Sequence, residues 1–204
     1  LTACLMMEAF RLADFPKGVV NLVSGRGSRA GAELALNPKV AMISFTGSTA
    51  VGVSLSQQAL KTVKRISLEL GGKSPCVWLP DLPDYRPAVK PLFNSIFLNS
   101  GQTCTALSRL IVPKARLAEV EKLLQDHVKD YPVGDPFDPK VLIGPMASRQ
   151  QFETVKSYIE LGVKEGARLL AGSIPEEPGA HEKGWFIQPT IFTDVKNDMR
   201  IARE

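Results

Sequence analysis

The sequence predicts an α/β fold in which part of a doubly wound parallel sheet is followed by most of a second α/β domain. Two patterns support this prediction. Short apolar runs rich in β-branched residues alternate with longer segments of helical spacing, and such alternation produces right-handed crossovers and parallel strands. Gly71 and Gly72 interrupt the alternation, and a new apolar run begins at Pro75. We therefore expect one domain over residues 1–71 and a second over residues 72–204.

The first domain is predicted to be half of a doubly wound nucleotide-binding domain. Pro16 and Gly18 supply the turn that ends the first helix, and Ser48 is a typical N-cap for the last one. The predicted order is a helix over residues 2–14, a buried strand over 19–23, a flexible stretch over 24–31, a helix ending near 37, a strand over 40–45, a helix to about 60 and a strand over 64–70.

The second domain is predicted to mix short strands with longer helices. The predicted order is a strand over residues 75–79, a proline-broken segment over 81–91, a helix toward 99, a strand over 107–112, a helix over 115–130, a loop over 131–145, a helix over 149–165, and short strands over 168–171 and 190–192. Proline inside a helix costs roughly 3 kcal/mol. We therefore expect an irregular backbone around Pro83, Pro87 and Pro91.

Charge, length of apolar runs and cysteine usage exclude several classes of function. The 25 basic and 21 acidic residues are spread along the chain, which argues against a nucleic-acid-binding protein. No run approaches the roughly 18 apolar residues of a membrane span. Cys4, Cys76 and Cys104 lie far apart, and His127 and His181 are the two histidines, so neither a disulfide framework nor a metal site is expected. Free thiols favour a reducing compartment such as the cytoplasm.

Two segments of the first domain have features of a phosphate-binding site. Gly25, Gly27 and Gly31 have a spacing one residue longer than the dinucleotide fingerprint GxGxxG, so a plain glycine-rich turn explains them equally well. The run FTGS at 45–48 ends a strand and opens a helix, where free N–H groups and the helix dipole favour a phosphate. An ordinary N-cap at Ser48 is the alternative.

Glu69 ends an otherwise apolar strand and is followed by Gly71 and Gly72. A carboxylate in such a strand is costly unless it is paired or functional. Burial would raise its pKa, as a base that activates water near neutral pH requires. The alternative is a glutamate held in a salt bridge at the edge of a domain.

Cys104 lies in a polar, glycine-containing loop, whereas Cys4 and Cys76 lie in apolar runs and are expected in a core. A loop cysteine of this kind is exposed enough to react, although a structural cysteine is the alternative. His127 and His181 have no neighbouring partner that indicates a cysteine–histidine hydrolase, and both are expected at the surface.

Taken together, these segments resemble the NAD(P)-dependent aldehyde dehydrogenase superfamily. The resemblance rests on FTGST at 45–49, LELGGKSP at 68–75 and NSGQTCTA at 99–106, in that order. It continues through VGDPFDP at 133–139, GP at 144–145, EGA at 165–167, FIQPTIF at 186–192 and residues 199–204. It therefore covers essentially the whole chain and implies an aldehyde dehydrogenase-like fold.

The resemblance implies an enzyme that oxidises an aldehyde to a carboxylic acid. Cys104 would attack the aldehyde as a thiolate, and its backbone N–H would hold part of the oxyanion. Hydride transfer to the nicotinamide would leave a thioester, and Glu69 would activate the water that hydrolyses it.

The resemblance also implies NAD or NADP as cofactor and no metal. Gly47 and Ser48 would lie beside the pyrophosphate, in the segment that also contains Phe45 and Thr46. Gly27 and Gly31 would flank the adenosine half. Gln151 would lie near the nicotinamide-side ribose, and Gly71 is a further candidate for cofactor binding.

Compared with the family pattern, the chain is expected to be a piece of a longer protein. It starts after the family's oxyanion-hole Asn and its adenosine-ribose residues, and it stops before the ribose-gripping Glu. We expect the isolated piece to be inactive, because losing one oxyanion donor alone costs about 100- to 1,000-fold in rate. Alternatives are a CoA-acylating semialdehyde dehydrogenase, against which Glu69 argues, and an inactive fragment. The full-length parent is expected to be a homo-oligomer.

Overall fold

The chain divides into two compact units, Leu1–Gly71 and Gly72–Glu204. The computed structural model describes residues 1–176 and 184–204, so His181 lies outside the described residues. The division falls at the glycine pair that interrupts the sequence pattern. The roles assigned to the two parts, cofactor binding and catalysis, stay predictions.

The first unit contains two parallel strands, β1 (Met42–Gly47) and β2 (Arg65–Leu70). Helix α3 (Thr49–Leu60) connects the two strands and buries Leu55 and Ala59. Its N-cap is Ser48, whose Oγ accepts a hydrogen bond from the backbone N–H of Val51 at 3.4 Å. The predicted strand–helix–strand order and the cap are confirmed, with β1 displaced slightly toward the carboxyl end.

The beginning of the first unit differs from the prediction in its exposure. Helix α1 (Thr2–Leu12) is present as predicted but buries none of its residues. Cys4, expected in a core, is therefore exposed. The apolar spacing was sufficient to predict the helix, but burial depends on a neighbouring element that packs against its apolar face.

The predicted buried strand over residues 19–23 is wrong. The segment has no strand hydrogen bonding in the described structure, and Val19 and Val23 are 63% and 71% exposed. A strand is stable only where a neighbour pairs its backbone N–H and C=O groups. The stretch expected to be flexible is helical from Gly27, with a π-helical turn (Gly27–Gly31) that leads into α2 (Ala32–Leu36).

The second unit contains one parallel and one antiparallel pair of strands. Strand β3 (Pro75–Val77) pairs in parallel with β4 (Arg109–Ile111), and β5 (Arg168–Ala171) pairs antiparallel with β6 (Ile191–Thr193). The helices are α4 (Arg86–Phe97), α5 (Leu117–His127), α6 (Arg149–Lys164) and α7 (Arg200–Arg203). In the described part of the chain, no helix is long and apolar enough to cross a lipid bilayer.

The core of the second unit consists of two apolar clusters. The larger joins α4 and α5 to the segment after α5, with Val89, Phe93, Val120 and Tyr131 among its buried members. The ring of Phe93 meets that of Tyr131 edge to face, with centroids 5.4 Å apart, a favourable geometry for an aromatic pair. The smaller cluster contains Met146, Phe152, Ile159 and Ile187, so it anchors α6.

The irregular backbone expected around the prolines is found only in part. Pro83 lies in the turn before α4, and Pro87 lies in the first turn of the helix, where a missing N–H costs nothing. Pro91, however, lies inside a continuous helix. This helix buries Val89, Leu92 and Phe93, and burial of three large side chains at about 1.5–3 kcal/mol each outweighs the roughly 3 kcal/mol cost of one proline.

Candidate active site

The carboxyl edge of the β1–β2 pair brings together several of the predicted site residues. Thr46 lies opposite Glu69 in the parallel register, and Gly47 lies opposite Leu70. Ser48 follows β1 directly at the start of α3. The outer carboxyl ends of strands are where open α/β sheets bind their ligands. Thr46, Gly47, Ser48 and Glu69 therefore share the edge at which a ligand is expected.

The start of α3 offers backbone donors to an anion. The first N–H groups of a helix have no partner within it, and here the Ser48 hydroxyl satisfies that of Val51. Ser48 and Thr49 are exposed, and no described residue accepts a hydrogen bond from the backbone N–H of Thr49 or Ala50. A twelve-residue helix directly after a parallel strand fits the phosphate-binding role predicted for this segment.

The glycines predicted to bind cofactor fall into two groups. A side chain at Gly47 would collide with the ring of Phe45, so Gly47 has a packing reason of its own beside the predicted one. A Cβ atom at Gly27, Gly31 or Gly71 would meet nothing within 4 Å. Packing within the described residues does not require glycine at those three positions, and their contact with a cofactor stays a prediction.

Glu69 is not buried, contrary to the sequence prediction. Its side chain is exposed on β2, because side chains of a strand project from the faces of the sheet and no described element covers the face on which Glu69 lies. The alternative of a salt-bridged glutamate finds no support either, since Glu69 forms no ion pair with a described residue. Glu69 is thus an accessible carboxylate at the carboxyl edge of the β1–β2 pair.

Cys104 is exposed in the second unit, as predicted for a reactive cysteine. It follows a left-handed turn at Leu98–Gly101, in which Asn99, Ser100 and Gly101 have φ values of 52°, 57° and 77°. Among the described residues, no atom accepts a hydrogen bond from the backbone N–H of Cys104. The thiol is therefore accessible, and the N–H beside it is available to an oxyanion.

Gln151 lies in the first turn of α6, close to the cysteine loop. Its backbone N–H donates to the N-cap oxygen of Ser148 at 3.2 Å. Ala147, the residue before Ser148, donates its N–H to Oε1 of Gln102 at 3.0 Å. Gln102 and Gln151 both line a cavity of about 770 Å³ in this unit. Gln151 therefore lines the same cavity as Gln102, which lies two positions before Cys104.

Lys73 lines the same cavity and has a perturbed ammonium group. Partial burial lowers its pKa, and the neighbouring positive charge of Arg109 lowers it further. Nε of Arg109 donates to the backbone oxygen of Lys73 at 2.8 Å, which holds the two cations together. Lys73 therefore gives up its proton more readily than a surface lysine does.

His127 forms its hydrogen bond within its own helix. Its Nδ1 lies 2.8 Å from the carbonyl oxygen of Leu123 on the same helix, so its position is explained by α5 itself. It is half-buried, whereas the sequence placed it at the surface. Among the described residues, no cluster of three or more His, Cys, Asp or Glu side chains could hold a metal ion.

Sequence reasoning missed two residues of this region. Ser148 caps α6, and SRQQ at 148–151 matches the S-x-x-Q form of the capping box, so the signal was present. Gln102 belongs to the motif NSGQTCTA at 99–106, which gives it no role of its own. Its bond to Ala147 spans 45 residues, and no local pattern indicates a bond over that separation.

The comparison with known families decides the identity. The family model described as "Aldehyde dehydrogenase family" matches residues 1–204. The chain belongs to the aldehyde dehydrogenase family. Among its relatives are 3-succinoylsemialdehyde-pyridine dehydrogenase from a Pseudomonas species, 46% identical over all of this chain and 42% of that protein, and human retinaldehyde dehydrogenase 3, 42% identical over all of this chain and 39% of that protein.

Solved aldehyde dehydrogenases share the fold over the whole chain. A mutant enzyme from Pseudomonas syringae, in complex with NAD+ and octanal, has a TM-score of 0.95 and 44% identity, covering 100% of this chain and 42% of that one. The NAD+ complex of a Bacillus cereus aldehyde dehydrogenase has a TM-score of 0.92 and 39% identity, covering 100% and 40%. The predicted aldehyde dehydrogenase-like α/β fold is confirmed. The chain spans about two fifths of the length of these relatives.

Proposed function

We propose that the protein containing this chain oxidises an aldehyde to a carboxylic acid with NAD or NADP as hydride acceptor. The observation that carries the proposal is the exposed Cys104, with an unpaired backbone N–H beside it, in a chain of the aldehyde dehydrogenase family. Relatives are named for a semialdehyde and for retinaldehyde, and one solved structure contains octanal. These carbon skeletons differ widely, so the proposal extends to aldehydes as a class.

Cys104 is proposed to act as the nucleophile. Its thiolate sulfur forms a bond to the carbonyl carbon, and the carbonyl electron pair moves to the oxygen. The free N–H of Cys104 donates to that oxyanion, at a position where charge develops during the reaction. When the oxyanion collapses, the carbon loses hydride and a thioester remains on Cys104.

Glu69 is proposed to act as the base in the second half of the reaction. The carboxylate accepts a proton from water as the water oxygen attacks the thioester carbon. The C–S bond then breaks, so that the acid leaves and Cys104 is again a thiolate. In this chain Glu69 is exposed on β2 and therefore accessible to water, so the burial expected from the sequence does not contribute to its proposed role.

The start of α3 has a feature that suits a dinucleotide cofactor. Ser48 and the first turn of α3 offer unpaired backbone N–H donors at a strand end, which suits a pyrophosphate. The proposed cofactor contacts in the first unit also include the rest of this strand end, namely Phe45, Thr46 and Gly47, and three glycines, Gly27, Gly31 and Gly71. In the second unit, the proposed cofactor contact is Gln151. NAD or NADP, when bound, supplies the hydride acceptor.

The first test is formation of reduced cofactor by the full-length protein with a panel of aldehydes. The variant Cys104→Ala is expected to abolish turnover, and Cys4→Ala is the matched control, since Cys4 is an exposed cysteine in α1. Turnover that persists in folded Cys104→Ala would remove Cys104 from the mechanism. If the thioester is transferred to CoA, added CoA will change the product from a free acid to an acyl-CoA.

Glu69→Gln separates the two halves of the reaction. The variant keeps the shape of the side chain but cannot accept a proton. We expect a rapid burst of about one reduced cofactor per site, followed by a steady-state rate roughly 100- to 10,000-fold lower, the usual contribution of a general base. An unchanged steady-state rate would show that another group activates the water. The measurement is stopped-flow absorbance of the reduced nicotinamide.

We further propose that the full-length protein is a homo-oligomer located in the cytoplasm. Free cysteines, including the exposed thiols of Cys4 and Cys104, support a reducing compartment. Family membership supports the oligomer. Light scattering of the full-length protein would give its assembly, and a monomer at micromolar concentration would contradict the first part of the proposal.

A further inference from the structure

The loop before Cys104 has an unusual backbone. Asn99, Ser100 and Gly101 are three successive residues with left-handed φ values, and two of them carry side chains. A left-handed conformation costs a non-glycine residue roughly 1–2 kcal/mol. Such strain persists only where the surroundings fix the conformation, so the contacts that hold this loop indicate which residues determine the position of Cys104.

Two hydrogen bonds tie the loop to a distant segment. Oγ of Ser100 donates to the backbone oxygen of Gly144 at 3.0 Å. Oε1 of Gln102 accepts the N–H of Ala147 at 3.0 Å. Ala147 directly precedes the capped start of α6, a sixteen-residue helix that is anchored by buried Phe152 and Ile159. The loop is thus attached to a well-packed element.

Gln102 also holds the loop to itself. Its Nε2 donates to the backbone oxygen of Asn99 at 3.1 Å, and its own backbone oxygen accepts from Nδ2 of Asn99 at 3.3 Å. The backbone N–H of Gln102 donates to the same Asn99 oxygen at 3.1 Å. The amide nitrogen of the side chain therefore reinforces the left-handed turn, while the amide oxygen binds the residue before the N-cap of α6. Both groups of the amide are used, and Cys104 follows two positions later in the chain.

We propose that Gln102 is a positioning residue for Cys104, acting through the left-handed turn and the start of α6. The inference rests on the proposed function, because it assumes that the Cys104 thiolate is the reacting group. Gln102 fixes the direction in which the thiol and its N–H face, and it takes no part in bond making. Displacing a reacting group by about 1 Å can cost on the order of 100-fold in rate.

The test compares three variants of the full-length protein. Gln102→Met keeps length and volume but removes the two hydrogen bonds of the side-chain amide, to Asn99 and from Ala147. Gln102→Glu keeps the acceptor for Ala147 and loses the donor to Asn99. Gln150→Met is the matched control, since Gln150 is exposed in the first turn of α6 and its side chain forms no hydrogen bond within the described residues.

We expect Gln102→Met to lower kcat about 10- to 100-fold, with KM for the aldehyde changed less than about threefold, because positioning affects the chemical step and not substrate binding. Gln102→Glu should fall between Gln102→Met and the parent protein, and Gln150→Met should match the parent. The proposal fails if folded Gln102→Met retains full kcat, or if Gln150→Met loses as much. If Gln102→Met does not fold, an unchanged kcat in Gln102→Glu is the contradicting result.

Alkylation of Cys104 by iodoacetamide, followed by peptide mass spectrometry, separates this proposal from the proposed function. The reaction needs neither cofactor nor aldehyde. A changed alkylation rate in Gln102→Met, in a protein that oxidises no aldehyde, would support positioning and contradict the proposed activity. An unchanged alkylation rate together with unchanged kcat in an active enzyme would overturn the positioning role alone.

Discussion

Glycines 166 and 172 have nearly the same backbone conformation but different surroundings. Their φ values are 90° and 87°, a region that disfavours residues with a side chain. A Cβ at Gly166 would meet nothing within 4 Å, whereas a Cβ at Gly172 would lie 2.6 Å from the backbone oxygen of Pro189. Conformation and packing can therefore be separated by one substitution made at two positions.

We expect Gly172→Ala to destabilise the protein more than Gly166→Ala does. Both variants incur the cost of a left-handed alanine, roughly 1–2 kcal/mol. Gly172→Ala should cost a further 1–3 kcal/mol or so because the backbone must move to accommodate the methyl group. Chemical denaturation of both variants gives the difference in their free energies of unfolding. Equal losses of stability would show that the backbone around Pro189 moves at little cost to accommodate the methyl group.

Single residues also show the limit of local sequence patterns. Cys104 was correctly expected to be exposed, because a polar, glycine-containing loop keeps a side chain near water. Cys4 and Glu69 were expected to be buried from the apolar residues around them, and both are exposed. An apolar run indicates which face could be buried, but it does not say whether another element covers that face.

At the scale of elements, a polar cluster fastens the β5–β6 pair to α5. Arg168 pairs with Glu121 at 2.7 Å and with Asp194 at 2.8 Å. The hydroxyl of Thr193 donates to the same Glu121 oxygen at 2.6 Å. The Thr193 hydroxyl, followed by Arg168, lowers the pKa of Glu121. Because the lowered pKa means that folding favours the carboxylate, the cluster stabilises the fold where Glu121 is ionised in both states.

Thr193→Val should therefore destabilise the protein in a pH-dependent way. At pH 7 we expect a loss of about 1.5–3 kcal/mol, the value of a hydrogen bond to a charged group. The loss should shrink as the pH falls below about 4.3, the ordinary pKa of a glutamate, and disappear below the folded-state pKa. Thr154→Val is the control, since the Thr154 hydroxyl bonds a neutral backbone oxygen. The measurement is the free energy of unfolding in urea across this pH range. A loss of stability in Thr193→Val that does not depend on pH would show that the Thr193 hydroxyl does not act on the Glu121 carboxylate.

Elements themselves were predicted well where their signal is local. The helix–strand order around β1, α3 and β2 follows from apolar spacing and from the Ser48 cap. The continuity of α4 through Pro91 did not follow, because it depends on Val89, Leu92 and Phe93 meeting a core. Proline has a fixed local cost, and only the packed structure shows whether burial exceeds it.

For the molecule as a whole, the apolar core lies mainly in the second unit. Both buried clusters belong to residues after Gly72. In the first unit, the buried apolar side chains are Ala35, Leu55 and Ala59. Large buried side chains contribute most to stability, so truncating a buried side chain of the second unit should destabilise the protein far more than truncating an exposed one of the same type.

Two phenylalanines of the second unit test this expectation. Phe152 is 0% exposed and Phe137 is 93% exposed. Phe152→Ala should cost about 3–5 kcal/mol, through lost burial and the cavity that remains. Phe137→Ala should change stability by no more than about 0.5 kcal/mol. Thermal unfolding of the full-length protein is the measurement, and a large loss in Phe137→Ala would reveal a contact that this side chain makes in the larger molecule.

The sequence by itself determined the fold class, the family resemblance, most helices and strands, and the exposed position of Cys104. These depend on periodicity, capping and ordered motifs, which act over a few residues. The tertiary structure decided the exposure of Glu69 and Cys4, the absence of a strand at residues 19–23, and the attachment of Gln102 to Ala147. Each of these depends on a partner far away in the chain or on the lack of one, because burial and hydrogen bonding are properties of pairs of elements.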